Sequence, residues 1–136
     1  MFVLNPSEVR FGIQRWKDVR AIAIDRMAVQ EVIEWGDFGP HATFADVPRT
    51  RVRLRVVLEA GADLEAAPRP GDSNTLTFTA SPGGGEVGRR IVSAACVAIR
   101  VTHEVALPKG ATRTIEFVAV SSDGVADPIT ITPAGV

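Results

Sequence analysis

The sequence predicts a mainly β protein: an antiparallel β-sandwich or barrel of about six to seven strands, one short helix and a long β-hairpin loop. Three observations carry that prediction. Apolar and polar residues alternate with a period of two in several separate stretches, and only an extended chain turns successive side chains to opposite faces. Between those stretches stand clusters of Gly, Pro, Ser and Asp, which favour turns. Helical periodicity is confined to one short stretch.

The elements follow in chain order. Residues from about 1 to 15 read as a short N-terminal arm. "RAIAIDRMAVQEVIEW", Arg20 to Trp35, is rich in Ile and Val, with Ile22 and Ile24 alternating against Ala21, Ala23 and Asp25. "TRVRLRVVLEA", Thr50 to Ala60, alternates strictly: Arg51, Arg53 and Arg55 face one way, and Val52, Leu54, Val56 and Leu58 the other. That is the pattern of a half-buried strand. A helical turn or two is predicted at Ala62–Ala67, stopped by Pro68. "NTLTFTA" turns Leu76 and Phe78 inward and Thr75, Thr77 and Thr79 outward. In "RIVSAACVAIRVTHEVAL", Ala95, Val97, Ile99 and Val101 are expected to share a face. "RTIEFVAVSS" sets Ile115, Phe117 and Ala119 against Thr114 and Glu116. "DPITIT" supplies a last short strand, leading into a C-terminal tail from about 129 to 136. The connectors "SPGGGEVG", "LPKGA" and "SSDGVADP" have turn chemistry.

Composition narrows the function classes. A chain of 136 residues is expected to form a single domain with a core of its own. Hydrophobic residues make up 46% and charged residues 23%, an ordinary globular balance. No apolar run approaches the roughly 20 residues of a membrane helix, so no membrane anchor is expected. "MFVLNPSEVRFG" lacks the basic start and apolar core of a secretion signal. One cysteine, Cys96, precludes an internal disulfide, fits a reducing compartment and reads as a small core residue. A formal net charge of -1 argues against a protein that grips nucleic acid.

Catalytic chemistry finds little to work with, and the chain is not expected to be an enzyme. A Ser-His-Asp set could be drawn from His103 with Ser121, Ser122 or Asp123, but no G-x-S-x-G elbow occurs. His103 beside Glu104 reads more simply as a strand-end histidine. One Cys and two distant His do not make a zinc set, and no calcium loop is present. No cofactor is expected. "SPGGGEVGRR" lacks the G-K-[ST] ending of a phosphate loop, and no helix follows it. A hairpin tip is the plainer reading.

Two features remain. Arg51, Arg53 and Arg55 share one strand face and repel one another unless solvent or acids intervene. Glu31, Glu34 or Glu116 could pair with them across strands, or carboxylates of a neighbouring subunit could. The second feature is "VIEWGDFGPHATFADVP". Trp35 to Thr50 reads as a connection far longer than the usual hairpin loop of about two to five residues. It carries Trp35, Phe38 and Phe44, with Pro40 and His41 shaping it. Aromatic and Arg side chains are enriched at interface cores. The segment is read as an arm that buries its rings in another subunit; the alternative is a cap folded over its own barrel. The predicted subunit-interface residues are Trp35, Phe38, Pro40, Phe44, Arg51, Arg53 and Arg55.

The order of elements resembles a known family. "WKDVRAIAIDR" leads into the long hairpin and the Arg/Val strand; then come "DLEAAPRPGD", "LTFTA", the Gly loop, a strand ending "RVTHEV", and "RTIEFVAVSSDGVADPI". From about Trp16 to Ile131 this arrangement is similar to the tail tube proteins of long-tailed bacteriophages, which resemble the tube protein of type VI secretion. The resemblance implies a β-sandwich or barrel with one flanking helix. Six copies would form a ring whose strands join into a continuous inner barrel. Rings would stack, bridged by the long hairpin and terminal arms, around a channel that passes DNA without binding it. The implied partners are the chain itself, a sheath or tail-terminator, and baseplate and tape-measure proteins. The implied location is the virion tail, assembled in the host cytoplasm. The predicted helix is shorter than the family's and ends at Pro68, which leaves open a tube-initiating or tail-completion ring. The other reading of the residues is a β-sandwich binding module of a virion or baseplate, exposing its aromatics to carbohydrate or protein.

Overall fold

The computed structural model describes residues 2–4, 6–59, 68–81, 88–106 and 110–133. Nine strands form one sheet: β1 (Phe2–Leu4), β2 (Ser7–Phe11), β3 (Gln14–Trp16), β4 (Val19–Trp35), β5 (Ala42–Glu59), β6 (Ser73–Ala80), β7 (Arg90–Ala106), β8 (Gly110–Ala119) and β9 (Ile129–Pro133). The spatial order is β1-β4-β5-β8-β7-β6-β2-β3, with β9 also on β7, and every pairing is antiparallel. The mainly β fold class expected from the alternation is what the chain adopts. The predicted helical turn at Ala62–Ala67 lies outside the described residues.

Among the described residues the strands number nine rather than six or seven, because the short strands β1 and β3 carry too few residues to show a period. Part of the segment expected as an N-terminal arm is built into the sheet: β2 pairs with β6 and buries Val9 and Phe11. Part of the expected tail, β9, pairs with β7.

The sheet curls over a single core. Leu54, Val56, Ile22, Leu76, Phe78, Cys96, Ile115 and Phe117 are all essentially inaccessible. β2 and β8 are separated in the strand order by β7 and β6, yet the ring of Phe11 lies 5.0 Å from that of Phe117. Trp16 stacks over both, at 5.7 Å and 6.2 Å. These rings join the two halves of the folded sheet. The β2–β3 turn reverses in two residues, Gly12 and Ile13, with Gly12 at φ 64°. A positive φ at the first central residue and not at the second, Ile13, is a type II′ turn, which glycine fills best. A Cβ there would also fall 2.0 Å from the Asn74 side-chain nitrogen.

Two expectations about faces need correction. Val101 does not share a face with Ala95 and Val97. A bulge at Ile99 shifts the β7–β8 register between Ala98 and Arg100, and an inserted residue reverses the alternation beyond it. Val101 therefore packs on the core, while Val92, Ala94, Cys96 and Ala98 form the buried face before the bulge. Thr79, expected outward, is buried.

Candidate functional site: a projecting hairpin and a charged sheet face

β4 and β5 are much longer than the strands beside them. β1 covers β4 only at Ala21–Ala23, and β8 covers β5 only from Arg53 to Glu59. Beyond those points, among the described residues, β4 and β5 pair with each other alone. The result is a two-stranded hairpin that runs about 30 Å past the sheet, at roughly 3.3 Å per residue. The turn at its end is only residues 36–41. The connection expected to span Trp35 to Thr50 is thus mostly strand. Pro48 does not end the strand: it sits in a bulge, where Val47 and Pro48 of β5 are set against Glu31 of β4 between the pairs Gln30↔Arg49 and Val32↔Asp46. A bulge on an otherwise free edge is where a strand accepts proline, which has no N–H to donate. A compensating bulge at Val29 on β4 restores the register.

The hairpin's apolar side chains face solvent. Trp35 is 63% exposed, Phe38 is fully exposed and Phe44 is half exposed, with Met27, Val29, Val32, Ile33 and Val47 at 40–51%. The rings do not fold back over the chain's own core. Pro40 and His41 lie in the exposed turn. Charge is segregated along the same element. From Glu31 to Asp46 there are four carboxylates, Glu31, Glu34, Asp37 and Asp46, and no Lys or Arg; from Arg49 to Arg55 there are four arginines and no acid.

The arginine row lies on the outward face of the four strands β4, β5, β8 and β7. Register places Asp25, Arg53, Val118 and Val97 in one row across that face, and Ala23, Arg55, Glu116 and Arg100 in the next. Ala21, Val57, Thr114 and Thr102 follow, then Glu59, Thr112 and Glu104. Arg55 is therefore opposed by Glu116, one of the acids expected, and Glu116 also lies 4.0 Å from Arg100. Glu31 and Glu34 are near the hairpin tip and do not meet the row. Asp25, not among the acids expected, stands opposite Arg53, a place that only the β4–β5 register defines. Arg51 is opposed by Met27. The outward rows thus hold Arg51, Arg53, Arg55 and Arg100 against Asp25, Glu59, Glu104 and Glu116. Arg20, in the bulge at the start of β4, is ion-paired with Glu59.

The residues considered for chemistry have structural partners. Arg113, buried on the core face, donates from Nε to His103 Nδ1 at 3.4 Å. Ser121 donates its hydroxyl to Asp123 Oδ1 at 3.0 Å, and the same oxygen accepts from the backbone N–H groups of Val125 and Ala126 at 2.9 Å each. Those bonds hold the Asp123 carboxyl down to about 2. Asp127 accepts from the Ile129 N–H and from Arg26 at 2.9 Å, and is lowered first by the backbone bond and then by Arg26. Burial pushes the Cys96 thiol up to about 12. Among the described residues, no three of His, Cys, Asp and Glu come together as a metal set.

No protein-family model matches the chain, and no curated protein matches it.

Proposed function

We propose that this chain is a structural subunit of a phage-type tail tube, forming stacked hexameric rings around a channel that conducts DNA. The projecting hairpin carries the proposal. A two-stranded ribbon is marginal in water by itself, and this one exposes a run of large apolar side chains that a monomer gains nothing by displaying. Burying Trp35 or Phe38 against a neighbour would contribute roughly 1.5–3 kcal/mol each.

Two further observations support it. The four-stranded face β4-β5-β8-β7 has open edges on both sides. Beyond Ala23 the outer edge of β4 has no strand partner among the described residues, and neither does the outer edge of β7 beyond Ala98. Copies joined edge to edge into a ring would remove both edges, as closure does in any barrel. The outward face, which would then line the bore, sets acids against its arginines. Each unopposed Lys or Arg would hold passing phosphate through counterion release; a near-balanced face would let DNA slide. In this reading the sheath or terminator, baseplate and tape-measure proteins meet the assembled tube in the virion tail.

Negative-stain microscopy of the purified protein, with mass measurement, should show rings or tubes of hexamer mass. Trp35→Ala with Phe38→Ala should abolish ring stacking while the melting temperature stays within a degree or two, because neither ring touches the core. A strictly monomeric protein at high concentration would instead favour a binding module that uses the same rings as a ligand platform.

A further inference from the structure

β8 leaves β5 after Val118, and the chain then turns out through residues 120–128 before returning as β9. This opens a notch at the base of the hairpin, between the uncovered edge of β5 and the outgoing loop. Two adjoining hollows of about 570 Å³ and 410 Å³ occupy it, both bordered by Thr50, Ala119 and Gly124. Each falls in the size range of pockets that take large side chains or ligands. The lining is apolar and basic. Val29, Val120 and Val125 are exposed there, at 51%, 44% and 90%. Arg26, Arg49 and Arg51 stand around them. Arg26 is neutralised by Asp127, whereas Arg49 and Arg51 have no ion pair among the described residues. Among the described residues, the β5 backbone from Arg49 to Val52 has no partner strand on this side, so an incoming strand could add to it.

The hairpin tip has the complementary character: exposed rings and four carboxylates without a cation. We infer that the notch is the receptor for the hairpin tip of a second copy of this chain. Trp35 and Phe38 fill the hollows, and Glu34 and Asp37 meet Arg49 and Arg51. The inference rests on the tube reading for its setting, and it names the surface on which the arm lands. Tip and notch are different patches, so the contact is heterologous. Such contacts close into rings or continue into filaments, and each copy both gives a tip and receives one.

The test uses complementary defects in the full chain. A tip variant carries Trp35→Ser and Phe38→Ser. A notch variant carries Arg49→Glu and Arg51→Glu, and a second notch variant carries Val125→Glu on the loop. All of these positions lie outside the core, and circular dichroism checks that each variant folds. Self-association, read by analytical ultracentrifugation, should weaken about tenfold or more in each variant. Mixing the tip variant with either notch variant should give a stack of one ring of each and nothing taller, since only one intact set of tips and one intact set of notches remain between the two rings. If both notch variants assemble as the wild type does while the tip variant fails, the arm lands elsewhere; this inference is then overturned and the tube reading stands. If the wild type itself never associates, both are overturned.

Discussion

Cys96 shows how burial alone sets a residue's chemistry. It is inaccessible among Leu76, Ala98 and Phe117 in the core, and loss of solvation raises its thiol from 9.0 to about 12, only partly offset by a backbone bond at Leu76. The thiolate is the nucleophile, so the native protein should resist iodoacetamide at about pH 8 and react fully once unfolded. Mass spectrometry reads the difference. The linkage has a definite sign: the folded value is above the unfolded one, so this group's contribution is intact below pH 9.0 and fades as pH rises toward about 12. Rapid labelling of the native protein would mean that the β7 core opens readily. The small-core role of Cys96 was legible from residue type alone. The inward phase of Arg113 follows from Ile115 and Phe117 further along β8, but its bond to His103 was not legible, because it depends on the β7–β8 register.

At the scale of elements, period-two alternation showed where strands are, and side-chain type showed which hairpin was unusual. The Arg/Val strand reads correctly because β5 has no bulge between Arg51 and Leu58. Readings failed where a bulge intervenes. Pro48 hid the first half of β5, and Ile99 reversed the faces of β7. A bulge inserts one residue without changing composition, so nothing in the local sequence announces the one at Ile99. Trp35, Phe38 and Phe44 stood out all the same, since exposed rings need no register to be noticed. The loop from Ser121 to Pro128 owes its shape to Asp123. The folded carboxyl sits near 2 against 3.8 unfolded, so its hydrogen bonds are in place above 3.8 and are lost as pH falls through about 2. The amide resonances of Val125 and Ala126 should therefore titrate with a midpoint near 2. Asp123→Asn should raise their hydrogen exchange at neutral pH, with little change in the strands. A midpoint at the ordinary carboxylate value would show that the loop is not held this way.

On the scale of the whole molecule, the chain has distinct ends. β4 and β5 carry the hairpin away from the body in one direction, while the starts of β4 and β8 and the ends of β5 and β7 gather at the other. A net charge of -1 conceals a segregated distribution: acids at the tip, arginines at the base, and both signs interleaved across the outward face. The interleaving could not be read from composition, because it arises from strands distant in sequence meeting in one register. The assembled protein should accordingly show no retention of double-stranded DNA in electrophoretic shift at low salt, and any residual affinity should have a shallow salt dependence. Glu116→Lys together with Asp25→Lys should create measurable, salt-sensitive retention. Tight binding by the wild type would contradict the bore assignment.

The return of β9 to the edge that β8 left has a different kind of consequence. Ala119 stands opposite Cys96, the Val120 N–H donates to the Ala95 carbonyl at 2.8 Å, and Ile129 takes the place opposite Ala94. Along β7 no rung is skipped, although eight residues of chain intervene. The alternation is also continuous, since Ala119 and Ile129 are buried and Val120 between them is exposed. The sheet is therefore indifferent to the length of the detour. Residues 121–128 form a module that evolution or an engineer can trim, extend or exchange without re-registering a single strand. Specificity for a neighbour can then drift while the scaffold stays fixed.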